Sequence, residues 1–69
     1  MGSYETLTVE RRDHLVLVSL NRPTKLNAFD LAMLRELSEA YTAYEQDPDL
    51  WCLLLTACGD HFTTGLDLA

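Results

Sequence analysis

The chain has 69 residues, 48% of them hydrophobic, and a net charge of −6 from eleven acidic and five basic residues. A chain with this share of hydrophobic residues does not have the composition of a disordered tail. A core this small is, however, marginally stable without a disulfide, a metal or further protein surface. The acidic balance argues against nucleic acid and anionic membranes as general partners.

The first third of the chain predicts an antiparallel hairpin. Between residues 5 and 10, polar residues alternate with Leu7 and Val9, as they do in a half-buried strand. Arg11-Arg12-Asp13 has the composition of a polar turn, and a second strand rich in Val and Leu is predicted from His14 to Leu20.

A helix is predicted from about Asp30 to Gln46, after Pro23 has ended the second strand. Apolar and aromatic residues recur there three or four positions apart, which predicts one stripe of an amphipathic helix. The stripe consists of Leu31, Leu34, Leu37, Tyr41 and Tyr44. Asn27 or Asp30 can cap the start of the helix, and Asp47-Pro48-Asp49 ends it.

The third predicted strand, Trp51 to Ala57, carries apolar residues on successive positions from Leu53 to Leu55. Both of its faces are therefore expected to be buried, as in a parallel sheet covered by helices. Trp51, Tyr41 and Tyr44 are expected in the core. The β-β-α-β order lets the second and third strands pair in parallel through a right-handed crossover, which predicts one small α/β domain.

A glycine turn follows the third strand, at the end of the sheet where ligands of open α/β folds tend to bind. The glycine turn reads Phe62-Thr63-Thr64-Gly65-Leu66-Asp67-Leu68. Gly65 can adopt backbone angles closed to other residues, and Asp67 can cap a helix beginning at Leu68. The amide of Leu66 is then placed to donate to a carbonyl oxygen that becomes negative during a reaction. An ordinary strand-to-helix loop is the alternative that this motif alone leaves open.

The cysteines and the N-terminus favour a cytoplasmic protein. No apolar run approaches the ~20 residues that span a bilayer, and the N-terminus lacks the regions of a secretory signal. Met1-Gly2-Ser3 is consistent with a vector remnant. Cys52 and Cys58 lack zinc-ligand spacing, so we expect free thiols rather than a disulfide, and no metal site.

Two motifs in this order and spacing resemble the crotonase superfamily, the enoyl-CoA hydratase/isomerase group. The first is Leu20-Asn21-Arg22-Pro23 with Leu26-Asn27-Ala28. The second is the glycine turn, which is similar to the family's Phe-Ser-Ala-Gly-Ala-Asp-Leu signature. The resemblance covers nearly the whole of residues 1–69 and implies the N-terminal β-β-α-β portion of a single crotonase-like domain. Because family members are several times longer, it also implies that the catalytic carboxylates and the second oxyanion-hole glycine lie outside this fragment.

The resemblance implies an enzyme that acts on acyl-CoA thioesters, as a hydratase or a double-bond isomerase. Coenzyme A would be part of the substrate, and no separate cofactor is implied. The oxyanion donor would be the backbone amide of Leu66, presented by Gly65, and the backbone near Thr63 and Thr64 would contact the adenine of coenzyme A. A homotrimer or hexamer is expected for the full-length protein. The alternative is a non-catalytic acyl-CoA-binding protein or a truncated fragment.

The loop before the predicted helix is the second part of this expected site. Its backbone around Leu26 and Ala28 resembles the segment that lines the pantetheine channel in the family. Lys25, with Arg22 as the second candidate, would bind a coenzyme A phosphate, and a solvated loop charge is the alternative. His61 has no nucleophile or carboxylate partner at a recognisable spacing, so it is expected to be a loop histidine.

The glycine turn departs from the commoner family pattern at two positions. Thr64 replaces a small Ala, and Leu66 replaces Ala or Asn. A backbone donor survives such a change, whereas the larger Leu66 side chain can reshape the acyl pocket. Dienoyl-CoA isomerases resemble this chain in carrying bulky residues there, so the subclass stays open. Asp67 is expected to cap or brace the loop rather than act as a general base.

Overall fold

The elements of the protein follow the predicted order in a computed structural model that describes residues 4–66. They are the strands β1 (Leu7–Arg12) and β2 (Leu15–Leu20), a short 3-10 helix (Pro23–Lys25), the helix α1 (Leu31–Glu45) and the strand β3 (Cys52–Ala57). The predictions made for Met1-Gly2-Ser3, Asp67 and Leu68 lie outside the described residues.

The strand β2 lies at the centre of a three-stranded sheet with the order β1-β2-β3. β1 pairs with it antiparallel, with Leu7 opposite Leu20, and β3 pairs with it in parallel, with Ala57 beside Leu20. The predicted hairpin and the predicted parallel pairing are both confirmed. Because β2 and β3 run in the same direction, the loops that follow Leu20 and Ala57 leave the sheet at the same edge.

The hairpin turn lies later in the chain than its composition predicts. Arg11 and Arg12 belong to β1, and the turn consists of Asp13 and His14. Asp13 has a φ of 53°, a left-handed conformation that aspartate tolerates better than most residues. The arginines remain in the strand because their side chains reach solvent, where Arg11 pairs with Asp47 at 2.8 Å. The prediction of a turn over Arg11-Arg12-Asp13 is therefore wrong for its two arginines.

The helix α1 begins after Asp30, as predicted. The Asp30 carboxylate accepts a hydrogen bond from the Met33 N–H at 2.8 Å, which satisfies one of the amides that every helix start leaves unpaired. Gln46 is the C-cap, and the residues Asp47-Pro48-Asp49 follow it. Asn27, the other candidate cap, does not cap α1.

The core lies between α1 and one face of the sheet. Its buried apolar residues are Leu7, Val16, Val18, Leu20, Met33, Ala40 and Leu50. Alternate residues of β2 supply the centre of this cluster, as the period of two in a strand requires. The helix contributes residues on the facing side, with Leu37 and Tyr44 half-buried at the margin.

The buried face of α1 differs from the predicted stripe. Leu37 and Tyr44 pack against the core as expected, but Leu31, Leu34 and Tyr41 are exposed. The buried helix positions are instead those of Met33, Glu36 and Ala40. A period of 3.6 residues identifies a face only within about one position. The prediction followed the leucines and tyrosines, and the buried face lies beside that stripe.

The strand β3 is not buried on both faces by the described residues. It is an edge strand with β2 as its one partner, and Leu54 and Leu55 are 51% and 37% exposed. Trp51 is 71% exposed and stacks on His14, with ring centroids 3.7 Å apart. The core positions predicted for Trp51 and Tyr41 are therefore wrong in this structure.

Cys52 and Cys58 are free thiols. Within residues 4–66, α1 is too short and too polar to cross a membrane, and the same range contains no group of three or more side chains suited to a metal ion.

Candidate functional site

The β2 loop (residues 21–30) and the β3 loop (residues 58–66) lie side by side at one edge of the sheet. The Phe29 N–H donates to the Gly65 carbonyl oxygen at 2.8 Å, and Phe29 forms an isolated parallel bridge with Leu66. The two sequence motifs are thus joined through their backbones. All of the predicted site residues lie on these two loops.

The backbone conformation at position 65 requires a glycine. Its φ is 98°, which L-residues with a side chain rarely adopt. A Cβ atom placed on Gly65 would meet nothing within 4 Å, so space is not the constraint. The glycine is there because of the shape of the turn, as the sequence predicts.

The direction of the Leu66 N–H is set by the same contact to Phe29. The Gly65 carbonyl and the Leu66 N–H belong to one planar trans peptide, so they point to opposite sides of it. Because Phe29 holds the carbonyl, the N–H is aimed away from the β2 loop, and it donates to none of the described residues. A donor of fixed direction is what oxyanion stabilisation requires.

Threonine hydroxyls add further links between the loops. Thr63 Oγ1 donates to the Asn27 carbonyl oxygen at 2.7 Å and accepts from the Gly65 N–H at 3.1 Å. Thr64 Oγ1 reaches the Leu26 carbonyl oxygen at 3.5 Å, the outer limit of a hydrogen bond. The hydroxyl of Thr63 is therefore used inside the protein, which leaves the backbone as the part of this residue available to a ligand.

Asn27 is a polar residue shared by both loops, and its role was not predicted. The residue is 1% exposed. Its Oδ1 accepts from the Arg22 N–H at 2.7 Å, while its Nδ2 donates to the carbonyl oxygens of Cys58 and His61 at 2.6 and 2.7 Å. The one advance signal is that asparagine tolerates a left-handed backbone, and Asn27 has a φ of 55°.

The β2 loop holds Leu26 in a strained conformation. Leu26 has a φ of 54° and is 47% exposed, and a left-handed leucine costs roughly 1–2 kcal/mol. Backbone hydrogen bonds on either side fix it, from Asn27 N–H to the Arg22 carbonyl at 2.8 Å and from Ala28 N–H to the Lys25 carbonyl at 3.0 Å. The backbone segment predicted to resemble the lining of the pantetheine channel is thereby fixed in shape, and it holds the Leu26 side chain at the surface.

The two basic residues of the β2 loop have different surroundings. Lys25 ends the 3-10 helix, is exposed, and forms no hydrogen bond or ion pair with a described side chain. The Arg22 side chain is only 16% exposed, donates to the Ala28 carbonyl oxygen, and lies 3.5 Å from the Asp30 carboxylate. Arg22 therefore braces the loop against the helix cap, and Lys25 is the cation that remains accessible to a phosphate.

A small cleft of about 180 Å³ opens between the two loops. It is lined by Pro23, Leu26, Asn27, Cys58, Gly59, Asp60 and His61. A Cβ atom on Gly59, whose φ is 86°, would approach the Pro23 Cβ to 3.1 Å, so the loops are in close contact here. The His61 side chain is exposed and its carbonyl oxygen serves Asn27, which agrees with a loop role for this histidine.

Residues 10–69 match the model of the enoyl-CoA hydratase/isomerase family. Enoyl-CoA hydratase EchA19 of Mycobacterium tuberculosis is 42% identical over 60 residues, which cover 87% of this chain and 23% of the relative. The peroxisomal Delta(3,5)-Delta(2,4)-dienoyl-CoA isomerase of Arabidopsis thaliana is 36% identical over 74 residues, covering 99% and 26% of the two chains.

Solved structures give the same result for the fold. The crystal structure of a probable enoyl-CoA hydratase/isomerase from Mycobacterium abscessus is 49% identical, with a TM-score of 0.94 over 97% of this chain and 26% of that chain. The β-β-α-β arrangement is therefore a portion of the crotonase-like fold. The chain spans about a quarter of the length of the relatives that it matches.

Proposed function

The chain belongs to the enoyl-CoA hydratase/isomerase family, and we propose that the longer protein containing it acts on acyl-CoA thioesters by stabilising a thioester enolate. Hydration of a 2-enoyl-CoA and migration of a double bond are the two candidate reactions. The relatives carry names of both kinds, a hydratase from M. tuberculosis and a dienoyl-CoA isomerase from A. thaliana. Both reactions place negative charge on the thioester oxygen, so one oxyanion donor serves either.

The Leu66 N–H is the observation that carries this proposal. It lies on a turn that Gly65 shapes through its φ of 98° and that Phe29 holds through a 2.8 Å hydrogen bond. Removing one preorganised oxyanion donor typically costs about 3 kcal/mol of transition-state stabilisation. We place the second donor, and the groups that move protons, outside residues 1–69.

Coenzyme A is proposed to lie along the β2 loop, with Lys25 near a phosphate and Leu26 against the pantetheine. Ala28 would meet the pantetheine by van der Waals contact, because its N–H and its carbonyl oxygen are both paired within the loop. The adenine would contact the backbone of Thr63 and Thr64. The exposure of Lys25 and Leu26 supports this arrangement.

Spectrophotometric turnover of crotonyl-CoA tests the proposal. We expect the full-length protein to be active and the 69-residue chain to be inactive, because one donor without a partner, an acid and a base cannot complete the reaction. Turnover by the short chain above a heat-denatured control would contradict our placement of the missing groups. If the full-length protein binds acyl-CoA but converts neither enoyl-CoA nor dienoyl-CoA, it is an acyl-CoA-binding protein without turnover.

A further inference from the structure

We propose that Asn27 is a positioning residue that holds the glycine turn in register with the β2 loop and thereby sets the direction of the Leu66 N–H. The catalytic consequence rests on the proposed function. The contacts that support the positioning itself lie within the described residues, and they can be tested without any assay of turnover.

The side chain of Asn27 connects three backbone positions from two separate loops. Its oxygen accepts from Arg22, at the start of the 3-10 helix, and its two N–H groups donate to Cys58 and His61, which follow β3. All three distances lie between 2.6 and 2.7 Å. Asparagine suits this place because it combines one acceptor with two donors. Aspartate would place a buried negative charge against two carbonyl oxygens.

The same residue reaches the glycine turn through its own backbone. The Asn27 carbonyl oxygen accepts from Thr63 Oγ1, and that hydroxyl accepts in turn from the Gly65 N–H. The Gly65 carbonyl is held by Phe29, two positions beyond Asn27. Both polar backbone groups of Gly65 are therefore tied to the segment that Asn27 anchors, and the Leu66 N–H belongs to one of the two peptides so held.

The burial of Asn27 makes the anchor stiff. The residue is 1% exposed and every polar atom of its side chain has a partner, so loss of the side chain would leave two carbonyl oxygens and one N–H to be satisfied by water. The adjoining cleft of about 180 Å³ can admit that water. Loss of Asn27 should therefore loosen the connection between the loops more than it unfolds the protein.

Asn27→Gly in the full-length protein is the main test, because glycine adopts a φ of 55° without strain and lacks the side-chain contacts. We expect the Phe29 amide to exchange its hydrogen at least about 10-fold faster. We also expect kcat for an enoyl-CoA to fall by about 10- to 100-fold, with KM changed by less than about 3-fold, since small misplacement of a catalytic group acts on the chemical step. Val16→Ala, a core change in β2 away from the loops, controls for a general loss of stability.

Thr63→Val is the second variant, because it removes the hydroxyl link at nearly constant shape. It should also quicken exchange at Phe29 and lower kcat by about 10-fold, and it provides the deciding measurement if Asn27→Gly does not fold. Unchanged Phe29 exchange in the variants that fold would overturn the proposal. An unchanged kcat in those variants would also overturn it, and so would a loss of kcat in Val16→Ala equal to theirs. If the unsubstituted protein has no turnover, the proposed function fails, and amide exchange alone decides the role of Asn27.

Discussion

Four residues of the two site loops have positive φ: Leu26, Asn27, Gly59 and Gly65. At Gly65, Asn27 and Leu26, the reason that this residue type occupies the position differs. Gly65 needs no side chain at its φ of 98°, and Asn27 combines a tolerated φ of 55° with three side-chain hydrogen bonds. Leu26 has no such compensation at a φ of 54°. Its strain must be offset by the hydrogen bonds of the surrounding loop, as is common for strained residues at functional sites.

Replacing Gly65 by Val in the full-length protein should lower turnover far more than acyl-CoA binding. A β-branched residue is strained at positive φ, so the peptide would rotate and the Leu66 N–H would lose its direction. We expect kcat to fall by about 100-fold, the usual effect of losing an oxyanion donor. Thr42→Val, on the exposed side of α1, introduces the same side chain far from the site. Unchanged turnover by a folded Gly65→Val variant would show that the oxyanion assignment is wrong.

Lys25→Ala should weaken coenzyme A binding in the full-length protein, and more at low salt than at high salt. A lysine that reaches a phosphate contributes through charge, which ions screen. Calorimetric titration of coenzyme A at two salt concentrations measures the effect. Arg12→Ala, at the opposite end of the sheet, removes the same charge and should leave the affinity unchanged. Equal affinities for Lys25→Ala and the unsubstituted protein at low salt would make Lys25 a solvated loop charge.

Between elements, a buried carboxylate joins α1 to the segment before β1. Glu36 is 5% exposed, and its two oxygens accept from the Thr6 N–H at 2.8 Å, the Thr6 hydroxyl at 2.7 Å and the Glu5 N–H at 3.1 Å. Burial acts to raise the pKa of Glu36. The hydrogen bonds from Thr6 and Glu5, together with the charge of Arg35, outweigh burial and hold the pKa below its ordinary value of 4.5.

Glu36 should make the stability of the protein depend on pH in the acid range. Because the folded state lowers the pKa, the stabilisation is complete above the ordinary value of 4.5 and is lost as the pH falls through the lower folded value. Glu36→Gln should remove this dependence and cost about 1–3 kcal/mol near neutral pH. Urea unfolding of both proteins across this range measures it. Parallel pH profiles for the two proteins would contradict the prediction.

At the scale of the whole molecule, the described residues leave an apolar groove open between α1 and β3. The groove has a volume of about 510 Å³ and is lined by Leu34, Leu37, Ser38, Tyr41, Leu53 and Leu55. On the other sheet face, Leu54 is also half exposed. An apolar groove left open between a helix and an edge strand offers a place where other protein can pack.

The 69-residue chain should therefore self-associate through this groove. Leu34→Glu, inside the groove, is expected to lower the association measured by sedimentation velocity, because burying the new charge is costly. Leu31→Glu is the matched control, since Leu31 is 85% exposed on the same helix and does not line the groove. Equal effects of the two substitutions would show that association does not use the groove.

The sequence by itself determined the order and type of the elements. Alternation in β1, the Val and Leu content of β2, the Asp30 cap and the Asp47-Pro48-Asp49 stop are local signals, so the hairpin and the helix were predictable. The parallel pairing of β3 followed from the β-β-α-β order. The positive φ of Gly65 was predictable for a related reason, because a turn after a strand is encoded by neighbouring residues.

Only the tertiary structure decided which residues are covered and what joins the loops. Trp51 and Tyr41 are residue types expected in a core, but they lie at the surface. Burial depends on what packs against a strand or helix, and not on the spacing of apolar residues within that strand or helix. The role of Asn27 depends on Cys58 and His61, about thirty positions away in the chain. No local sequence pattern predicts a contact between residues so far apart in the chain. The contact exists because β2 and β3 run in parallel, so that the loops following them lie at the same edge of the sheet.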